Sequence, residues 1–158
     1  MARRREYPEW PVVGVGGVVI SDGRALLIRR GSEPLKGEWS IPGGTLELGE
    51  TIVEGIAREL REETGLEVKA LELIEVFERI LEGDPNEPGR RARNARPKYH
   101  FVIVDYLCEV LGGTPQPGSD VTATAWAREE ELGRYTLTPT ATRVLKKAFA
   151  MARARATE

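Results

Sequence analysis

The sequence contains only one cysteine, Cys108, and one histidine, His100. A single cysteine excludes an internal disulfide, and the position of Cys108 in an apolar run predicts a small core residue. His100 lies in a strand-like run, which favours a packed or edge side chain over a catalytic one. Neither residue is therefore a first candidate for chemistry.

Long apolar runs are also missing. No run approaches the ~20 residues that span a bilayer, so we expect no membrane partner. The first residues, MARRREYPEWP, are basic but lead into no apolar signal core, and a cytoplasmic location is the expectation. The net charge is only −2, which gives no reason to expect nucleic acid as a partner.

The composition that is present is that of a globular protein, with 158 residues, 41% hydrophobic and 30% charged. One domain over residues 1–158 is expected, with residues 1–11 as an N-terminal arm. Apolar and β-branched runs predict strands, and Asp22-Gly23 predicts a hairpin turn between the first two. The predicted strands lie within residues 12–20, 25–30, 39–41, 67–80, 99–110 and 121–127. Residues 129–132 predict a short helical turn, and Thr138-Pro139 predicts the start of a final helix. This order predicts an α/β fold, with a mixed sheet covered on both faces.

Residues 82–98 form a polar, basic segment with almost no apolar content. Its prolines and glycines predict a loop, either solvated and disordered or working as a lid over a diphosphate. The basic side chains that would serve a lid are Arg90, Arg91, Arg93, Arg96 and Lys98.

Residues 44–66, GTLELGETIVEGIARELREETGL, carry the strongest pattern in the chain. Thr51 with Glu54 three residues later predicts a capping box at a helix N-terminus. Gly65 predicts the left-handed C-terminal cap. Apolar residues at helical spacing predict the buried stripe of this helix, namely Ile52, Val53, Ile56 and Leu60.

Three carboxylates share one flank of this predicted helix: Glu59, Glu62 and Glu63. Side chains at these spacings repel one another, and Glu63 falls in line with the buried stripe, where an unpaired charge is costly. A hard divalent cation, Mg²⁺ or Mn²⁺, would remove the conflict because it prefers clustered oxygen ligands. The alternative from the residues alone is a solvated charged helix with i,i+4 pairs such as Arg58 with Glu62.

The full spacing distinguishes the two interpretations because it resembles the signature of the Nudix hydrolase family. It reads Gly44, five residues, Glu50, seven residues, Arg58-Glu59-Leu60, one residue, Glu62-Glu63, one residue and Gly65-Leu66. The likeness extends from about Val12 to the final helix. It implies an α/β/α sandwich around a central mixed β-sheet. It also implies metal-dependent hydrolysis of a nucleoside diphosphate linked to another group.

The resemblance implies roles for individual residues. Glu59, Glu62 and Glu63 would be catalytic metal ligands for Mg²⁺ or Mn²⁺, joined by a backbone carbonyl at Gly43 or Gly44. Gly44 would also lie at the substrate. Arg58 would orient a glutamate, and Glu50 would do likewise or hold an outer metal.

The catalytic base is left open by the signature, since its position varies among relatives. Glu59 is one candidate, and Asp120 is the other because relatives often place an acidic residue in that loop. A turn residue at the start of a strand is the alternative for Asp120. Arg29 or Arg30 can grip a phosphate from the end of the second strand, although either can equally form a surface salt bridge.

The flanking segments are most similar to small ADP-ribose pyrophosphatases, namely RRGSEPLKGEWSIPGGTLELGE, GSDVTATAW and LTPT. Yet the proline that many such enzymes carry some sixteen residues past the signature is absent. The expected partner is thus a small nucleotide substrate, with ADP-ribose first. A (d)NTP pyrophosphatase, including one that removes oxidised dGTP, and a non-catalytic nucleotide-sugar sensor remain as alternatives. A homodimer also remains open, as many relatives form one.

Overall fold

A computed structural model describes residues 5–83 and 96–158 of the chain. Its strands are β1 Val12–Ser21, β2 Arg24–Arg30, β3 Trp39–Ser40, β4 Gly43–Thr45, β5 Glu67–Leu81, β6 Tyr99–Gly112 and β7 Val121–Arg128. Its helices are α1 Ile52–Thr64 and α2 Pro139–Ala156, with a 3₁₀ helix over Glu129–Arg134. Neither α-helix in these described parts is long and apolar enough to cross a membrane.

The strands join in one mixed sheet in the order β3-β2-β1-β6-β5, with β4 paired to β1 and β7 paired to β2. The β1–β6 pair is parallel, and the other pairs are antiparallel. The predicted mixed sheet is confirmed. The parallel register sets Gly16 of β1 beside Asp105 of β6, while the β1–β4 register sets Gly16 beside Gly43.

Both faces of the sheet are covered because side chains alternate along each strand. On one face, Val15 and Val19 pack with Ile56 and Leu60 of α1. On the other face, the core contains Val18, Leu27, Val144, Leu145 and Phe149, of which the last three belong to α2. This arrangement confirms the α/β/α sandwich. The predicted core position of Cys108 is also confirmed, since it is 1% exposed on the α1 side.

The local signals for turns and caps are confirmed. Asp22 and Gly23 have φ values of 51° and 73°, as a two-residue hairpin turn requires. The Thr51 hydroxyl accepts a hydrogen bond from the Glu54 amide, and the Glu54 carboxylate accepts one from the Thr51 amide. Gly65 ends α1 with φ 75°, a conformation that glycine adopts without strain.

The prediction that Val53 of α1 is a core residue is wrong. Val53 is 51% exposed, although it falls near the apolar stripe at 100° per residue. Leu60 and Thr64 point in nearly the same direction around the helix as Val53, and both are buried. The exposure of Val53 therefore follows from its place in the first turn of α1, where the helix begins.

The N-terminal arm is attached at the start of β6. The Tyr7 amide donates a hydrogen bond to the Lys98 carbonyl at 2.8 Å, and the Tyr99 hydroxyl donates one to Glu6 at 3.1 Å. Most of the predicted 82–98 loop, residues 84–95, lies outside the described residues. The lid interpretation therefore stays a prediction.

Candidate active site

A pocket opens between the C-terminal half of α1, the turn before β7 and the sheet face that α2 covers. Strand β1 contributes only Gly14, Val15 and Gly16 to its wall, so the backbone leaves space above the sheet. The charged residues that line it are Arg5, Arg30, Glu59, Glu62, Glu63, Arg79, Asp105 and Asp120. All three predicted α1 carboxylates thus face one cavity.

Strand β4 delivers backbone groups to the α1 carboxylates. The Gly43 amide donates a hydrogen bond to Oε2 of Glu63 at 2.9 Å. Gly44 lies so close to Glu59 that an added Cβ would overlap its carboxylate. Glycine at position 44 therefore has a steric cause, because a side chain there would prevent the backbone from approaching Glu59 this closely, and at Gly43 an added Cβ would overlap the Val15 carbonyl.

Arg58 fixes the orientation of the neighbouring carboxylates. Its Nε and Nη2 donate to the two oxygens of Glu50 at 2.5 and 2.9 Å, in a bidentate pair. Its Nη1 donates to Glu59 at 2.8 Å and to Glu62 at 3.3 Å. Nη2 also donates to the Thr45 carbonyl at 3.0 Å, which ties α1 to β4. The hydrogen bond from Arg58 lowers the pKa of Glu50.

Burial raises the pKa values of the two inner carboxylates. The pKa of Glu63 rises to about 8, mainly through burial, against which the Gly43 hydrogen bond acts, while the charge of Glu59 raises it further. Burial likewise raises the pKa of Glu59, against the hydrogen bond from Arg58. Two acids whose charges act on each other in a desolvated site favour the neutral form of one of them, or else require a cation.

A divalent cation fits this donor set by chemistry. Glu59, Glu62 and Glu63 offer the hard oxygen ligands that Mg²⁺ and Mn²⁺ prefer. A cation would also stabilise the ionised form of Glu63, which burial disfavours. Within residues 5–83 and 96–158, no group of three or more His, Cys, Asp or Glu side chains is already arranged as a metal centre. Glu59 and Glu62 each give one oxygen to Arg58 instead.

The turn before β7 brings Asp120 to the same pocket. The Gly118 and Ser119 amides donate to the carbonyls of Glu63 and Glu62 at 2.8 and 3.1 Å, so this turn packs on the end of α1. Asp120 has φ 54°, and its carbonyl accepts a hydrogen bond from the Gly31 amide at 2.8 Å. Asp120 thereby lines the pocket together with Glu63.

The two candidate phosphate ligands of β2, Arg29 and Arg30, lie in different surroundings in the structure. Arg30 lines the pocket, and its Nε donates to the Pro34 carbonyl at 2.6 Å. Burial lowers its pKa, while the charges of Glu63 and Asp120 act in the opposite direction. Arg29 is exposed, donates to the Gly37 carbonyl at 3.2 Å and does not line the pocket. Adjacent strand residues point to opposite faces, so only one of the pair can reach the cavity.

Three charged residues of the pocket were not found by sequence reasoning: Arg5, Arg79 and Asp105. Asp105 is 3% exposed, and burial raises its pKa to about 7. Burial also lowers the pKa of Arg79, with Arg30 as the next cause. A lone carboxyl within the apolar run FVIVDYLC was a visible signal for Asp105, whereas nothing local marks Arg5 or Arg79.

Comparison with known proteins agrees with this geometry. A family model described as NUDIX domain matches residues 10–148. An ADP-ribose pyrophosphatase from Methanocaldococcus jannaschii is 36% identical over 110 residues, 70% of this chain and 57% of that protein. A MutT-like protein from Streptomyces ambofaciens is 36% identical over 121 residues, 76% of this chain and 66% of that protein. The chain thus spans less than two thirds of the length of these curated relatives.

The fold has close counterparts among solved structures. The crystal structure of a MutT NUDIX hydrolase from Burkholderia pseudomallei superposes with a TM-score of 0.69 at 29% identity. That match covers 88% of this chain and 98% of the other.

Proposed function

The chain belongs to the Nudix family, and on that premise we propose that it hydrolyses the pyrophosphate bond of a nucleoside diphosphate linked to another group. ADP-ribose is the leading candidate substrate, because one relative that matches most of this chain is named an ADP-ribose pyrophosphatase. The observation that carries the proposal is the packing of Glu59 and Glu63 against the Gly43-Gly44 backbone in an open pocket.

The proposed chemistry uses a divalent cation, as Nudix hydrolases generally do. Glu59, Glu62, Glu63 and the Gly44 carbonyl would hold Mg²⁺ or Mn²⁺. When bound, such a cation neutralises the charge of the diphosphate and activates water for attack on phosphorus.

The remaining residues position the reacting groups. Arg58 orients Glu59, and Glu50 fixes Arg58 by the bidentate pair. Arg30 supplies a half-buried positive charge for a diphosphate oxygen. The base that receives the proton of water is Glu59 or Asp120, both of which line the pocket.

A substrate panel tests the proposal. Purified protein with Mg²⁺ is incubated with ADP-ribose, NADH, a dinucleoside polyphosphate, dGTP and 8-oxo-dGTP, and the products are separated by chromatography. The proposal predicts AMP and ribose 5-phosphate from ADP-ribose as the fastest conversion. Faster release of pyrophosphate from the triphosphates would support the (d)NTP pyrophosphatase. Binding of ADP-ribose without any turnover of the panel would support the sensor.

A further inference from the structure

The pocket extends beyond the α1 carboxylates over the sheet face that α2 covers. Alternate residues of β5 and β6 line this extension, with Phe77 opposite Ile103 and Arg79 opposite Phe101. Asp105 follows on the same face of β6. The proposed hydrolytic chemistry assigns no role to these five residues.

Asp105 carries a buried carboxyl group, which is 3% exposed. Within residues 5–83 and 96–158, no side chain or amide donates a hydrogen bond to it. Its carboxylate lies over Gly16, where an added Cβ would overlap Oδ1. Burying a carboxyl group without a hydrogen-bond donor costs free energy. The position of Asp105 in the pocket lining therefore indicates that a ligand supplies the missing donor.

The surroundings of Asp105 restrict what that ligand group can be. Phe77, Phe101 and Ile103 present an apolar surface, and Gly14 and Gly16 leave the sheet bare beside it. Flat aromatic ligands suit such a surface, since base–aromatic contacts are favourable for any nucleobase. A phosphate would be repelled by Asp105, and sugar hydroxyls would gain little from two phenyl rings.

We propose that Asp105 binds the exocyclic amino group of a purine base, whose ring packs against Phe77, Phe101 and Ile103. The assignment rests on the proposed function, because it identifies the nucleoside end of that substrate. Arg79 lies near enough to Asp105 for its charge to act on the carboxyl, and it supplies a donor for a ring nitrogen or carbonyl of the same base.

Both common purines present an amino group to a carboxyl. Adenine pairs its N6 amino group and N1 with a neutral carboxyl, which offers one acceptor and one donor. Guanine pairs its N1–H and N2 amino group with an ionised carboxylate, which offers two acceptors. Burial raises the pKa of Asp105 to about 7, so either form is accessible near neutral pH.

Equilibrium binding of 5′-monophosphates tests this subsite without turnover. AMP, GMP, purine riboside 5′-monophosphate and ribose 5-phosphate have no pyrophosphate bond, so their affinities at constant Mg²⁺ can be measured by calorimetry. Purine riboside 5′-monophosphate lacks the amino group and is otherwise matched to AMP. We expect AMP or GMP to bind roughly tenfold or more tightly than purine riboside 5′-monophosphate, which is the scale of leaving one buried acceptor without its donor.

Two substitutions test whether Asp105 causes the preference for nucleotides that carry an amino group. Asp105→Leu should abolish the difference between the amino and amino-free nucleotides. Glu109→Gln, on the exposed part of the same strand, should leave it unchanged. If Asp105→Leu fails to fold, as judged by circular dichroism, Asp105→Asn takes its place and should shift the ratio of AMP to GMP affinity toward AMP. The amide is neutral and retains one acceptor and one donor.

Each of four results would overturn the assignment. The first is equal affinity of the wild type for AMP, GMP and the amino-free analogue, and the second is an affinity for ribose 5-phosphate equal to that of AMP. The third is a preference for the amino nucleotides that survives in Asp105→Leu. Where Asp105→Asn takes its place, the fourth is a ratio of AMP to GMP affinity equal to that of the wild type. The choice between AMP and GMP identifies the base. Failure of hydrolysis in the substrate panel would leave these affinities measurable, so the two proposals fail separately.

Discussion

The Gly43 amide donates a hydrogen bond to the Glu63 carboxylate at 2.9 Å, joining residues twenty positions apart. This bond fixes the last turn of α1 against the glycine turn that precedes it. One oxygen of Glu63 is thereby held by the backbone, while the carboxyl remains in the pocket lining. The strand and the helix of the Nudix signature are thus joined at the carboxylates.

The close approach of Gly44 to Glu59 predicts a steric effect on activity. Gly44→Ala should lower kcat/KM by about a hundredfold, because the added methyl displaces a carboxylate whose position matters on the scale of an ångström. Gly133→Ala is the matched control, since nothing lies within 4 Å of an added Cβ there. Steady-state kinetics on ADP-ribose measures both, and wild-type kinetics in Gly44→Ala would refute the steric account.

Arg58 predicts a combined loss of stability and activity. Arg58→Lys keeps the charge but cannot make the bidentate pair with Glu50 while also reaching Glu59 and Thr45. We expect the free energy of unfolding to fall by about 1–3 kcal/mol and kcat to fall with it. Denaturant unfolding and steady-state kinetics provide the two measurements.

Arg61 supplies the control for that substitution. It lies in the same helix and pairs with Glu67 at 2.8 Å, but its side chain is 56% exposed. Arg61→Lys should therefore change stability little. Equal losses in the two lysine variants would show that the Arg58 network is ordinary surface pairing.

The raised pKa of Glu63 predicts how metal-free stability depends on pH. Its pKa is about 8 in the folded protein against 4.5 in the reference state, so the folded protein binds the extra proton between these values. Stability from this group is therefore present at low pH and is lost as pH rises through that window. Glu63→Gln removes the titration, and its melting temperature in EDTA should exceed that of the wild type by roughly a few degrees above pH 8.

Glu67→Gln is the control for the pH experiment. Glu67 is an exposed acid whose pKa is lowered by the hydrogen bond from Arg61, so the melting temperature of its variant should show no gain at high pH.

Millimolar Mg²⁺ should raise the wild-type melting temperature, because a ligand that binds only the folded state stabilises it. A Glu63→Gln protein that melts below the wild type at every pH would indicate a purely structural glutamate.

Much of this site could be predicted from sequence because its signals are local. The Thr51–Glu54 capping box, the Gly65 cap and the helical spacing of the three carboxylates each depend on residues within one turn or two. Val53 was misplaced because periodicity gives its direction around α1 but does not say that the first turn of the helix is left partly uncovered. Arg79 and Asp105 were missed because β5 and β6 bring them to the pocket through long-range pairing.

The central claim is that the α1 carboxylates, with a divalent cation, hydrolyse a nucleotide pyrophosphate bond. The most direct test measures AMP formation from ADP-ribose as a function of Mg²⁺ concentration, for the wild type and for Glu63→Gln. We predict no product in EDTA, saturable activity with Mg²⁺ or Mn²⁺, and a loss of at least about a hundredfold in the variant. Turnover that persists after exhaustive chelation, or wild-type turnover in Glu63→Gln, would contradict the account.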